Sequence, residues 1–269
     1  MHKAKKCQRH IWLLSGTGEG PLFAKALIQE GFALTISVVS SNASLPYLGL
    51  PLEDLKIGCL EGCADIRNVL KEAQNRYNGF DLVIDATHPF AKVISSNLKD
   101  VCKEFRQPLI RYERPIEDLS GATLINDSSE LRNFDLSGQR ILMAIGSRYL
   151  EEAVKSAREA GAEVFARVLP NPESLRKALA SSLESHKLAP LRPARGEESW
   201  EIEEALCRGW SITGVLCRQS GGLSEKSWKR ICKRNKIDLW MISRPVYSLG
   251  IEEVYDLAQL MKRVTILNQ

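Results

Sequence analysis

Short apolar runs rich in leucine, isoleucine and valine alternate with amphipathic stretches over most of the chain. The runs at 11–14, 33–39, 55–57, 81–85 and 109–112 predict strands with helices between them. Such alternation marks a parallel sheet whose crossovers are helical. After Pro115 the rhythm breaks. The segment "IEDLSGATLINDSSELRNFDLSG" is crowded with turn formers, which places a domain boundary or long connection there. The alternation then resumes, with strands predicted at 140–145, 163–167, 188–191, 212–217 and 238–243 and helices at 148–160, 172–184, 197–208, 223–235 and 251–263. Each half reads as a complete unit, so the expected fold class is α/β, with two parallel-sheet domains over 1–116 and 117–269.

An internal similarity supports the division. A shift of 130 positions aligns "VCKEFRQPLIRYERP" with "ICKRNKIDLWMISRP", and the Cys-Lys and Arg-Pro pairs recur at matching places. Both halves run strand, polar turn, helix, strand, Arg-Pro.

Length and composition agree with this picture. A chain of 269 residues corresponds to one or two domains, and its 44% hydrophobic and 26% charged residues are ordinary for a globular protein. A net charge of +4 is too small for a general polyanion binder, so no nucleic-acid partner is expected. Lys3, Lys5, Lys6 and Arg9 make a basic start. The apolar run that follows ends at Leu14 against Ser15, too short for a signal-peptide core or a membrane span. A cytoplasmic protein without a membrane partner is therefore expected. The seven cysteines, at 7, 59, 63, 102, 207, 217 and 232, are odd in number and form no CxxC pair. They predict buried free thiols, with no disulfide framework and no metal site.

The first strand leads into "SGTGEGP", where Gly16, Gly18 and Gly20 precede Pro21 at an expected helix start. A helix N-terminus after glycines presents backbone N–H groups and the positive end of the helix dipole, which suits a phosphate. The spacing differs from the dinucleotide fingerprint GxGxxG, so a tight strand-to-helix connection is the competing reading. The second strand ends in Ser40, Ser41 and Asn42, not in the carboxylate that holds the ribose hydroxyls of NAD. Ser40 and Ser41 are thus candidate cofactor contacts, and either NADPH or NADH remains open as donor.

Ligands of open parallel sheets bind beyond the carboxyl ends of the strands. Four predicted ends carry polar residues: Asp85-Ala-Thr-His-Pro-Phe90, Ile145-Gly-Ser-Arg148, Arg195-Gly196 and Arg218-Gln-Ser-Gly-Gly222. Asp85 suits the role of capping its own turn. The Ser220-Gly221-Gly222 turn opens a helix and is expected to offer unpaired N–H groups to an anion, or else to be merely tight. Arg148 and Arg218 stand immediately past predicted strands, where guanidinium groups can pair with carboxylates; Arg111 and Arg114 suit structural roles equally well. Trp200, Trp210, Trp228 and Trp240 share no spacing and are expected to pack in the core.

In order along the chain, "GTGEG", "DATHPFAKVISSN", "RYERP", "AIGSR", "ARG" before an acidic helix and a late "SGG" resemble the precorrin-6A reductase family of cobalamin biosynthesis, including its cobalt-precorrin-6A members. The resemblance spans about residues 11 to 245. It implies two Rossmann-like domains with a cleft between them, in which a reduced nicotinamide cofactor meets a large tetrapyrrole and one macrocycle double bond is reduced. Carried over by motif, Gly16, Thr17, Gly18 and Glu19 would lie at the cofactor. Thr87, His88, Pro89 and Phe90 would line the substrate side, opposite Ser147, Arg148, Ser220, Gly221 and Gly222. The N-terminal domain would bind the nicotinamide, the C-terminal domain would complete the substrate cleft, and the enzyme would be monomeric. Arg218 stands where the family carries Lys, and "NASLP" stands where many members carry Gly-Arg.

His88 is a candidate for lining the cleft and a weaker one for proton donation, because the chemistry resides in the cofactor. A dinucleotide-sensing protein that keeps the scaffold without turnover is the alternative from another class. It would need only the first half of these motifs. A short-chain oxidoreductase would show Tyr-x-x-x-Lys, and no tyrosine here has Lys four positions on.

Overall fold

The computed structural model describes residues 8–192, 200–245 and 249–266. They form two compact units, each built on a six-stranded parallel sheet flanked by helices.

In the first unit β1 (His10–Ser15), β2 (Ala33–Val38), β3 (Asp54–Ile57), β4 (Leu82–Ala86) and β5 (Leu109–Tyr112) alternate with α1 (Gly20–Gln29), α2 (Ser41–Ser44), α3 (Cys63–Tyr77) and α4 (Lys92–Glu104). The second unit contains β6 (Thr123–Ile125), β7 (Arg140–Met143), α5 (Leu150–Glu159), β8 (Glu163–Val168), α6 (Pro172–Ala180), β9 (Leu188–Pro190), α7 (Glu201–Gly209), β10 (Gly214–Arg218), α8 (Leu223–Asn235) and β11 (Asp238–Ile242). Two further elements, β12 (Glu252–Val254) and α9 (Leu257–Ile266), follow.

The strand orders are β12-β5-β4-β1-β2-β3 and β6-β11-β10-β7-β8-β9. Each is doubly wound: the chain builds outward from β1 through β2 and β3, then returns to the other side of β1 with β4. The second sheet repeats this from β7. Order therefore reverses between β1 and β4, and again between β7 and β10.

Central position explains why β1 is buried along its whole length. Alternate side chains point to opposite faces of a strand. Ile11 and Leu13 join Phe23 and Leu27 of α1 and Leu260 of α9, while Trp12 and Leu14 join Ile66 of α3 and Leu98 of α4. Strand β7 is divided likewise, with Ile141 and Met143 on the α5 side and Leu142 on the side of α7 and α8. Gly214 in β10 is required by this packing. A Cβ there would lie 2.4 Å from the Trp240 ring and 2.5 Å from Ile141.

The boundary between units differs from the expectation at the second crossing. The first unit comprises Met1–Pro115 and Pro245–Gln269, and the second comprises Ile116–Arg244, whereas 117–269 was expected to stay together. The cause is β12, which pairs in parallel with β5 and brings Val254 opposite Tyr112. The stretch predicted as one helix over 251–263 is therefore a strand followed by α9. Glu-Glu-Val has no strong strand preference, and the exposed edge of β5 decides its conformation. Strand β6, hidden among turn formers, is likewise fixed by pairing with β11.

Cys102, Cys207, Cys217 and Cys232 are buried thiols, but Cys59 is exposed and Cys63 half-buried, correcting the expectation that all would be buried. Cys59 lies in the loop before α3, where no helix covers it. Cys7 lies outside the described residues. Trp200, Trp228 and Trp240 are buried in the second unit and Trp210 packs against the same core. Among the described residues no helix is long and apolar enough to cross a membrane.

The fully buried Leu260 tests the returned C-terminal segment. Leu260→Ala is expected to lower unfolding free energy by about 2–5 kcal/mol, the usual cost of such a core truncation. Hydrogen exchange should show the loss at α1 and β5 before it reaches β7.

Candidate functional site

The Gly16 and Thr87-His88 turns meet at the gap between β1 and β4, whereas Ser40 and Ser41 lie past β2. Gly16 donates its N–H to Ala86 O at 3.1 Å. A Cβ on Gly16 would sit 3.1 Å from both His88 N and Thr87 Cα, so a bare α-carbon lets the two turns touch. Gly20 has a different task. A Cβ there would meet Ser15 Oγ at 1.9 Å and Tyr47 OH at 2.3 Å, so this glycine seats α1 on the sheet. Ser15 and Tyr47 share a buried 2.5 Å hydrogen bond, and burial pushes the Tyr47 hydroxyl up to about 12 against the opposing effect of that bond. Only Gly18 faces open space, with nothing within 4 Å of a Cβ built on it. The amides of Thr17 and Gly18 make no backbone hydrogen bond among the described residues. These features fit a phosphate-bearing nucleotide at the start of α1.

Glu19 occupies the N-cap position of α1 without a side-chain capping bond. Its carboxylate instead accepts from Arg114 Nη2 at 2.5 Å. Burial tends to raise the Glu19 pKa, but the hydrogen bond and charge of Arg114 outweigh it and hold the carboxyl below its usual range. Ser40 and Ser41 are exposed just past β2. Ser40 Oγ caps the short α2 by accepting from Ala43 N at 3.3 Å.

At the end of β4 the Asp85 carboxylate is fully buried. Its Oδ1 accepts from Thr87 N at 3.0 Å and Thr87 Oγ1 at 2.7 Å, the turn-capping role expected of it. Its Oδ2 accepts from Arg111 Nη1 at 2.7 Å. Arg111 also donates to Ser95 Oγ at 2.6 Å and Glu113 Oε2 at 2.8 Å, which ties β4, α4 and β5 together. His88 is half-buried, and its Nδ1 accepts from Phe90 N at 3.2 Å. The neutral ring therefore carries its proton on Nε2. Pro89 beside it is buried and Phe90 half-buried.

In the second unit the loops after β7 and β10 hold the other candidates. Gly146 (φ 78°) and Gly221 (φ 66°) take left-handed conformations that favour glycine. Ser147 Oγ donates to Ser174 Oγ at 3.3 Å. The Arg218 guanidinium lies 5.7 Å from the centroid of the Tyr149 ring. Burial lowers the Arg218 pKa, Tyr149 opposes that shift, and the neighbouring Arg148 charge adds to it.

Of the two readings open for the Ser220-Gly221-Gly222 turn, amides offered to an anion or a tight connection, the observed bonds favour the second. The Ser220-Gly221-Gly222 turn does not present a row of unpaired amides to an anion. Gly221 N–H donates to the buried Glu225 Oε2 at 2.6 Å, and Ser220 N–H to Arg218 O at 2.8 Å. Glu225 lies four residues on in α8, where a carboxylate is drawn to the helix start.

Some participants were missed in the sequence. Tyr47 and Tyr149 meet their partners only through the fold. Gln219 accepts from Arg244 N at 3.0 Å through Oε1, and its carbonyl accepts from Arg244 Nε at 3.3 Å. The repeated Arg-Pro could have flagged Arg244, since the 130-residue shift pairs it with Arg114. Arg195 and Gly196 lie outside the described residues.

Two doubly wound sheets, with a glycine turn against a polar strand end at the first order reversal, define a Rossmann-like α/β protein. The family model described as precorrin-6x reductase CbiJ/CobK matches residues 10–265, and the chain belongs to that family. It is 31% identical over 241 residues to a cobalt-precorrin-6A reductase of Synechocystis, covering 87% of this chain and 88% of that protein. It is 27% identical over 255 residues to a precorrin-6A reductase of Mycobacterium tuberculosis, covering 91% and 92%. The solved structure of CobK precorrin-6A reductase matches the fold with a TM-score of 0.74 at 22% identity, over 97% of this chain and 98% of that one. The chain is accordingly an oxidoreductase of cobalamin biosynthesis acting on a CH–CH bond, in a family whose chemistry implies a nicotinamide cofactor and a tetrapyrrole substrate.

Removing Asp85 should leave the Arg111 charge buried without its main counterion. Asp85→Ala is expected to destabilise the protein by about 3–5 kcal/mol in denaturant unfolding, the usual cost of breaking a buried pair from one side. Asp85→Asn keeps an acceptor for the Thr87 amide and should lose less.

Proposed function

We propose that this chain reduces one macrocycle double bond of precorrin-6A or cobalt-precorrin-6A to the corresponding 6B dihydro product, with NADPH or NADH as donor. The observation that carries the reading is the contact of the Gly16 turn with the Thr87-His88 turn, beside the open Gly18. It supports a nucleotide and a second ligand approaching the same strand ends.

A bound reduced nicotinamide would supply a hydride to one carbon of the double bond and leave oxidised, while a proton from solvent would complete the adjacent carbon. Thr17 and Gly18 offer amides to its phosphates, and Ser40 and Ser41 take its ribose. The neutral end of β2 holds no carboxylate to repel a 2′-phosphate, which favours NADPH. Thr87, His88, Pro89 and Phe90 would line the macrocycle site. The second unit supplies Ser147 and the cationic pair Arg148 and Arg218 for the acetate and propionate carboxylates, with Ser220, Gly221 and Gly222 shaping the loop that carries Arg218. The free thiols of the described residues favour a reducing compartment, so we place the enzyme in the cytoplasm; a monomer is the proposed assembly. The small net charge argues against a nucleic-acid partner.

An anaerobic assay with both macrocycles and both nicotinamides, following loss of reduced-nicotinamide absorbance, tests the reading. Turnover of at least one pair is expected, and none in folded protein would sink it. His88→Ala should raise the KM for the macrocycle while leaving nicotinamide affinity nearly unchanged; the reverse pattern would refute its placement. Arg218→Glu should raise that KM about tenfold or more, equivalent to ~1.4 kcal/mol. Arg218→Lys should retain partial activity, and equal kinetics for the two variants would remove Arg218 from the site.

A further inference from the structure

We propose that Arg114 is a positioning residue for the nucleotide phosphates, acting by neutralising the Glu19 carboxylate inside the glycine turn. The inference rests on the proposed binding of the nicotinamide cofactor at that turn.

Glu19 stands between Gly18 and Gly20, at the N-cap of α1. A carboxylate there opposes a diphosphate, since like charges a few ångströms apart in a partly desolvated site repel strongly. The favourable helix dipole could be cancelled by the protein's own anion before any ligand arrived. Arg114 removes this conflict. It reaches from just beyond β5, 95 residues away in sequence, and its Nη2 lies 2.5 Å from Glu19 Oε2. Its side chain is 9% exposed and that of Glu19 27%, so solvent screens the pair only in part. Paired with Arg114, the Glu19 carboxyl is held below its usual range against the opposing effect of burial, so the pair is an ion pair at neutral pH.

With both residues present, the two side chains sum to zero charge. Without Arg114 they leave one negative charge, and with Glu19 neutralised they leave one positive charge. The pair also fixes the turn, because the guanidinium ties the Glu19 carboxylate to the chain just beyond β5.

The test is a cycle of Arg114→Gln, Glu19→Gln and the double variant in the full chain. It is read as the Kd of NADPH and of NADH by fluorescence titration, at low and high salt, with folding checked by circular dichroism. Arg114→Gln should weaken binding about tenfold. Glu19→Gln should tighten it about threefold, and the double variant should recover most of the affinity lost in Arg114→Gln. Raising the salt should shrink the gap between wild type and Arg114→Gln. A double variant no better than Arg114→Gln would overturn the charge argument and leave Arg114 a purely structural residue. If Arg114→Gln does not fold, Glu19→Gln alone decides, and weaker binding by that variant would overturn the proposal. A wild-type chain that binds neither nicotinamide would overturn both this inference and the functional reading beneath it. Normal wild-type binding with an unaffected Arg114→Gln would overturn the inference alone.

Discussion

The fully buried pair of Asp85 and Arg111 is the constraint on which the first unit's strand ends depend. A buried ion pair is a poor source of stability, because desolvating both charges offsets most of their attraction. Its value here lies in geometry. One carboxylate oxygen holds the Thr87 turn while the other holds Arg111, and Arg111 in turn reaches α4 and the end of β5. The Thr87-His88 backbone is thereby held where a Cβ on residue 16 would crowd it at 3.1 Å, a contact that Gly16 avoids.

The same logic separates three glycines that look alike in sequence. Gly16 admits a neighbouring turn, Gly20 admits Ser15 and Tyr47, and Gly18 alone leaves space. The glycine-rich turn thus divides between packing and openness. The packing partners come from the turn after β4, from Ser15 at the end of β1 and from Tyr47 after α2, so the roles of Gly16 and Gly20 are set in part by residues distant in sequence.

The two units solve the strand-end problem in related ways. Each carries an Arg-Pro step where the chain passes between units, and each of those arginines is buried and bonded to a strand-end turn: Arg114 to Glu19, Arg244 to Gln219. The units differ in how they finish their sheets. The second takes β6 from its own start, whereas the first waits for β12 from the far end of the chain. The second also supplies an internal carboxylate, Glu225, to a turn that glycines alone would have left open to an anion.

Hydrophobic periodicity by itself determined the α/β class and ten of the strands, most directly the central ones such as β1 and β4, because a strand buried on both faces must be continuously apolar whatever its neighbours. The positions of Thr87, His88, Arg148 and Arg218 were legible for a related reason: polar residues that close an apolar strand mark the carboxyl end of a parallel sheet, where ligands approach. Tertiary structure alone decided β6 and β12, whose short sequences are made strands by the sheet edges they meet. It alone decided the distant arginine partners of Glu19 and Asp85 as well. Charge pairing is set by distance in space, and separations of 95 residues for Glu19 and 26 for Asp85 leave no local pattern to read.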